Sequence, residues 1–108
     1  MCGVGMRGLG IIIGGTDASR LRTALTLAAS QAALGAGVRL LFDGDAVRLA
    51  VTRDELFESC LELGVTVTLC QSGLASAGLE AATLDPRFEY GGMVSWLAAL
   101  GEDRLTLA

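Results

Sequence analysis

The chain carries 12 carboxylates, 8 cationic side chains (all of them arginine) and 3 cysteines, with neither histidine nor lysine. That inventory removes much of enzyme chemistry. Without histidine there is no Ser–His–Asp or Cys–His arrangement to activate a nucleophile. Without lysine there is no Schiff base and no phosphate-binding lysine. Cys2, Cys60 and Cys70 contain no CxxC pair and make a poor zinc set. What remains is the chemistry of a thiol. Cys70 is the best placed of the three, in the stretch VTVTLCQSGLASAG from Val65 to Gly78. Val65 to Leu69 alternates as a buried strand does. Gln71, Ser72 and Gly73 read as a short polar turn, and Leu74 to Gly78 as a small-residue helix. A cysteine between a strand's carboxyl end and a helix's amino end meets unpaired backbone N–H groups and a positive dipole end. Both favour the thiolate, which is the reactive form. This edge of an open α/β sheet is also where ligands bind. A second reading stays open, because free cysteine is among the most buried residue types and Cys70 also fits a strand-end residue that packs.

The elements around Cys70 follow from periodicity. Leu9 to Ile13 is a continuous apolar run that suits a central parallel strand. Gly14-Gly15-Thr16-Asp17 follows as a tight turn, with Thr16 or Asp17 able to cap the next helix. Its glycines are able to cradle an anion at the helix start, although the GxGxxG dinucleotide spacing is missing. Ala18 to Leu34 places Leu21, Leu25, Ala28 and Ala32 on one helical face, and Gly35 and Gly37 stop it. Val38 to Phe42 is a second strand that runs into Asp43-Gly44-Asp45. A strand followed by DxD fits Mg²⁺-dependent phosphoryl transfer on aspartate. With no lysine to offset phosphate charge, a polar turn is the stronger reading.

Ala46 to Val51 is ambiguous. Thr52 is expected to cap a helix that begins near Arg53, with Leu56, Phe57, Cys60, Leu61 and Leu63 on its apolar side. Glu80 to Glu89 reads as loop. Gly91-Gly92 precedes a helix from Met93 to Leu100, whose stripe of Met93, Trp96, Leu97 and Leu100 suits a core or a subunit contact. Leu105 to Leu107 is expected to be a final strand. Residues 1–8 are expected to form a flexible N-terminus bearing Cys2, and residues 9–108 a single domain. Alternating strands and helices predict a three-layer α/β/α fold with a mostly parallel sheet of about five strands.

Composition sets the class. Hydrophobic residues make up 52% and charged residues 19% of the 108, with mean hydropathy +0.56. That is too apolar for disorder and favours an oligomer. A net charge of −4 lacks the basic footprint that nucleic acid requires. No apolar run is long enough for a bilayer. The odd cysteine count and the lack of a secretory signal lead to the expectation of a cytoplasmic protein with no membrane partner.

The ordered set of strand–GGTD–helix, LLFDGDAV, a strand ending in CQSGL, and EYGGMVSWL before a last strand resembles the DsrE/DsrF-like family of small sulfur-relay proteins. The likeness runs from about Leu9 to Ala108. It is most specific at Cys70, Ser72, Gly78 and the Gly91-Gly92 helix start, and it departs at Leu74, where relatives often carry Met. The resemblance implies a flavodoxin-like, DsrEFH-like subunit that forms trimers or hexamers. It also implies that Cys70 takes sulfane sulfur as a persulfide from a donor protein or small thiol and passes it to an acceptor. No cofactor and no metal are expected. Ser72 is expected to hydrogen-bond the sulfur, and the N–H groups of Ser72, Gly73 and Leu74 to hold its charge. Gly14, Gly15, Thr16, Asp43, Gly91 and Gly92 complete the expected binding edge. Asp43 and Asp45 would raise the Cys70 pKa if they lie close. The alternative on the same fold is a non-catalytic oligomeric ligand-binding or assembly module in which Cys70 is structural. A thiol peroxidase with Cys60 or Cys2 as resolving thiol is a third reading.

Overall fold

Five short parallel strands organise the molecule. They are β1 (Leu9–Ile13), β2 (Val38–Phe42), β3 (Thr66–Cys70), β4 (Glu89–Gly91) and β5 (Arg104–Leu107). They form one sheet in the order β4-β3-β2-β1-β5. The helices are α1 (Ala18–Ala33), α2 (Glu55–Glu62), α3 (Gln71–Ala77) and α4 (Met93–Leu100), with 3-10 segments at Gly44–Val51 and Ala81–Thr83. This computed structural model describes residues 7–52 and 54–108. The expectations for Cys2, for residues 1–6 of the N-terminus and for Arg53 lie outside the described residues.

The connections from β1 to β4 all step one way across the sheet, and the last one returns to the far side of β1. Right-handed crossovers then put α4 on the face opposite the other helices. The packing has this form. Odd-numbered residues of β1 and β3 and even-numbered ones of β2 (Ile11, Ile13, Leu40, Phe42, Val67, Leu69) meet Leu25 and Ala28 of α1, Val47, and Phe57 and Cys60 of α2. On the other face Leu41 packs with Trp96 and Leu100 of α4, and Ile12 and Met93 border them. The result is the three-layer α/β/α arrangement expected, with a thin second layer of one helix.

Gly10 is what lets α4 lie close. A Cβ there would stand 2.7 Å from Trp96 Cη2 and 2.6 Å from Leu100 Cδ1, so a glycine inside this strand marks a close approach.

Several local expectations are corrected. Residues 71–73 are not a turn. They are the first turn of α3, which follows β3 directly, with Cys70 itself as N-cap. Asp54, rather than Thr52, caps α2 and accepts from Phe57 N at 3.0 Å. Leu63, expected on the apolar side of α2, is exposed at its end. Glu89–Gly91, read as loop and lead-in, is strand β4, and the ambiguous 46–51 stretch is 3-10 helix.

An aromatic stack anchors the loop after β2. The rings of Phe42 and Phe57 lie 5.6 Å apart and nearly parallel, and Phe88 tilts onto Phe57 at 6.0 Å. Such pairs add roughly 0.5–1.5 kcal/mol each beyond burial. Phe42 is the last residue before Asp43, so this packing fixes where the 43–45 loop leaves the sheet.

Candidate functional site

Sheet register brings the candidate residues to one edge. Ile13 pairs with Phe42, Phe42 with Leu69, and Cys70 with Gly91. The bond from Asp43 N to Ile13 O, 2.9 Å, extends the ladder by one residue. Gly14, Asp43, Cys70 and Gly91 therefore stand in a row at the carboxyl ends of four adjacent strands. Asp43 and Gly91 are one strand from Cys70. Gly14, with Gly15 and Thr16 beyond it, is two strands away, about 10 Å at the usual strand spacing.

Cys70 Sγ lies 3.2 Å from Ser72 Oγ. The residue is 9% exposed, so it lies largely buried at the sheet edge. As the N-cap of α3, Cys70 has extended backbone angles that turn its side chain toward the helix's first amides. Its pKa is held below the ordinary thiol value, chiefly by the Ser72 hydroxyl, next by the Gly44 backbone N–H, and less by that of Gly73. No full capping hydrogen bond closes onto the sulfur from α3, which fits the smaller part of Gly73. Burial and the Asp43 carboxylate act the other way and are outweighed. The expectation that Asp43 opposes the thiolate is met, and the net direction is downward.

Gly44 is the contributor that sequence reading missed. It comes from the loop after β2, with φ +55°, in the left-handed region that favours glycine. The Gly44 backbone runs against α3 at Gly73, where a Cβ would overlap the Gly44 carbonyl oxygen. Two glycines therefore allow a loop and a helix start to meet at the sulfur. The usable signal was a glycine set between two aspartates directly after a strand.

The other expected residues are placed as follows. Leu74 is buried in the core. Gly91 is half-buried, and a Cβ on it would come 3.2 Å from Ser95 Oγ. Gly92 is the N-cap of α4. Gly14, Gly15 and Thr16 are exposed, and Asp17 already accepts from Ser19 N at 2.9 Å and Arg20 N at 3.2 Å. Cys60 is fully buried, and its thiol donates to Leu25 O at 3.3 Å. Burial pushes its pKa up to about 11.

The reactivity of the two thiols should diverge. Because the Cys70 pKa is lowered, its thiolate fraction saturates at a lower pH than that of a free cysteine peptide. The pH–rate curve for carbamidomethylation of Cys70 by iodoacetamide is expected to level off early. Ser72→Ala should move that curve to higher pH and slow the reaction at neutral pH. An unchanged curve would show that the hydroxyl does not hold the charge.

No protein-family model matches the chain, and no curated protein matches it. Solved structures do. The chain is similar to the YchN protein of E. coli, with 21% identity, a TM-score of 0.70, and coverage of 95% of this chain and 100% of that one. It is similar to MTH1491 of Methanobacterium thermoautotrophicum, a protein of unknown function, with 14% identity, TM-score 0.78, and the same coverage. BT1422 of Bacteroides thetaiotaomicron, also of unknown function, matches with 13% identity and TM-score 0.65, over 92% of this chain and 94% of that one. Over nearly their whole lengths, this chain and those three proteins share one α/β fold.

Proposed function

We propose that this protein is a DsrE-type sulfur carrier that holds sulfane sulfur as a persulfide on Cys70. The observation that carries the reading is the Cys70 sulfur at the sheet edge, 3.2 Å from Ser72 Oγ, with a thiol pKa held down first by that hydroxyl and next by the Gly44 backbone. The Cys70 thiolate attacks the outer sulfur of a donor persulfide. A new S–S bond forms, the donor's S–S bond breaks, and the donor thiolate leaves with the electron pair. Ser72 Oγ–H and the amides of Gly44 and Gly73 stabilise negative charge at the site. An acceptor thiolate then attacks the outer sulfur, and Cys70 leaves as thiolate. Neither step needs a base once the thiol is ionised, which suits a chain without histidine. A reducing compartment such as the cytoplasm matches this chemistry. Among the described residues no helix is long and apolar enough to cross a membrane. The test is the intact mass after exposure to polysulfide, for the wild type and for Cys70→Ser.

A packing role for Cys70 is the competing reading, favoured by its low exposure. A native thiol that resists iodoacetamide at neutral pH would decide for it. The peroxidase reading has less support, since Cys60 lies fully buried with its thiol bonded to α1.

The reading includes self-association. Helix α4 carries no charged residue, and Val94 on it is 84% exposed. Leu105 and Leu107, which pair with Gly10 and Ile12 and so share the α4 face, are 49% and 74% exposed. Charge-free apolar surface of this kind marks contacts between subunits. Sedimentation is expected to give a trimer or hexamer, and Leu107→Glu to shift it toward monomer. A monomeric wild type at micromolar concentration would remove this part of the proposal.

A further inference from the structure

We propose that β5 pairs edge to edge with β5 of a second copy of this chain, antiparallel about a two-fold axis at Thr106, and so joins the two five-stranded sheets into one. The inference rests on the self-association of the chain and names the contact that makes it.

The sheet ends in β4 on one side and β5 on the other. An edge strand offers unpaired backbone N–H and C=O groups to other strands, and proteins blunt such edges with charge, proline, bulges or shortness. β4 is blunted: it runs only from Glu89 to Gly91, and Glu89 is exposed. β5 is not. It runs in unbroken register with β1, and Leu105-Thr106-Leu107 carries neither charge nor proline. Its hydrogen bonds leave part of the backbone unused. Arg104 N donates to Gly8 O and Ala108 N to Ile12 O, both at 2.9 Å. Alternate residues of a strand bond to the same neighbour, so Arg104, Thr106 and Ala108 face β1. The N–H and C=O groups of Leu105 and Leu107 therefore point away from the sheet, and among the described residues no strand lies on that side.

Apolar surface flanks this edge on both faces. On the α4 face Leu105 and Leu107 are exposed, as are Val94 and Leu97 of α4. On the other face a groove of about 490 Å³ separates α1 from β5, lined by Ile11, Thr23, Leu27, Thr106 and Leu107 among others.

A second copy fits this edge because Leu-Thr-Leu reads the same in both directions. With the axis at Thr106, Leu105 exchanges both backbone bonds with the partner's Leu107, and Leu107 does so with the partner's Leu105. The four leucines then cover one another on the α4 face. Thr106 meets the partner's Thr106 in the closer, non-hydrogen-bonded pair on the α1 face. Arg104 stands across from the partner's Ala108, so no like charges are opposed. Backbone bonds would serve any strand, and it is these side-chain matches on both faces that favour a copy. The contact covers neither sulfur site. Cys70 lies three strands from β5, so the two sulfurs are separated laterally by roughly 34 Å at the usual strand spacing, and they stand at opposite ends of the joined sheet.

Two substitutions in the full chain test the pairing. Leu105→Pro removes an outward N–H and no bond to β1, and proline is tolerated at an edge when its nitrogen faces solvent. Leu105→Ala shortens the side chain and keeps the N–H. The dissociation constant of Leu105→Pro is expected to exceed that of Leu105→Ala by about tenfold or more, for two lost backbone bonds per contact. Cys70 alkylation at the wild-type rate will show that Leu105→Pro is folded. If it does not fold, the second substitution decides alone. Thr106→Cys, in a Cys2→Ser and Cys70→Ser background, sets two thiols across the axis with Cα atoms about 4.5 Å apart, within disulfide range. Dioxygen with a copper catalyst takes two electrons and two protons from the pair, and one S–S bond forms between subunits. Linking is expected to run about tenfold or more faster than for Leu63→Cys in the same background, Leu63 being exposed at the end of α2. A two-fold contact also makes the assembly even-numbered, a dimer or a hexamer. A trimer, a folded Leu105→Pro that assembles like Leu105→Ala, or a Thr106→Cys that links no faster than Leu63→Cys overturns the strand pairing while self-association stands. A monomeric wild type removes both.

Discussion

Cys70→Ser is expected to abolish sulfur loading completely while leaving the fold intact. Wild-type chain exposed to polysulfide should gain the mass of one sulfur atom per subunit at Cys70, removable by a reducing thiol. The substituted chain should gain none there. Serine is close to cysteine in size and is a preferred N-cap residue, so α3 loses nothing at its start. The hydroxyl cannot ionise near neutral pH and cannot hold sulfane sulfur. Unfolding is therefore not the cause of the loss, and a thermal melt that matches wild type will separate the two. Cys60 does not substitute for the missing thiol. It is fully buried and, with a pKa pushed up to about 11, protonated at neutral pH. Cys2 is controlled by its own replacement. Equal loading of wild type and Cys70→Ser would end the carrier reading.

Much of this site was legible because its parts are local. β1, β2 and α1 are long enough for their apolar spacing to declare them, and β3 announced itself by alternation. Cys70 and Ser72 are two residues apart, so placing one at a strand end placed the other beside it. What was misread depended on pairing or on competing caps. Glu89–Gly91 is too short to show a period, and its strand character comes from lying against β3. Thr52 and Asp54 are both good cap types, and only the start of α2 at Glu55 chooses between them. Gln71-Ser72-Gly73 has turn composition, yet it is helical because Cys70 caps α3 with no residue between strand and helix. Gly44 was invisible for a stronger reason. Its approach to the sulfur exists only once β2 lies beside β3, a contact between segments far apart in sequence.

That long-range contact makes Gly73→Ala the most damaging small change available to the fold at this site. On propensity alone alanine improves a helix over glycine, by roughly 1 kcal/mol in an interior position. Packing opposes it. The new methyl would overlap the Gly44 carbonyl oxygen and stand 3.0 Å from the carbonyl carbon. The obstacle is backbone, so no side chain can swing aside, and the loop or the helix start must move. Overpacking of this kind costs about 1–3 kcal/mol, which equals or exceeds the propensity gain. Stability in urea is expected to fall by up to about 2 kcal/mol, the packing cost less the propensity gain. Gly37→Ala is the comparison, because nothing lies within 4 Å of its Cβ and its φ is not in the left-handed region. Its change should stay within about 0.5 kcal/mol. The larger effect of Gly73→Ala is chemical. Displacing Gly44 takes its N–H off the sulfur, so the Cys70 pKa rises and alkylation at neutral pH slows. Ser72 still donates, so the reaction slows without stopping. If Gly73→Ala destabilises the chain but leaves the alkylation pH profile in place, the Gly44 amide does not govern the thiolate, and Ser72 alone holds it.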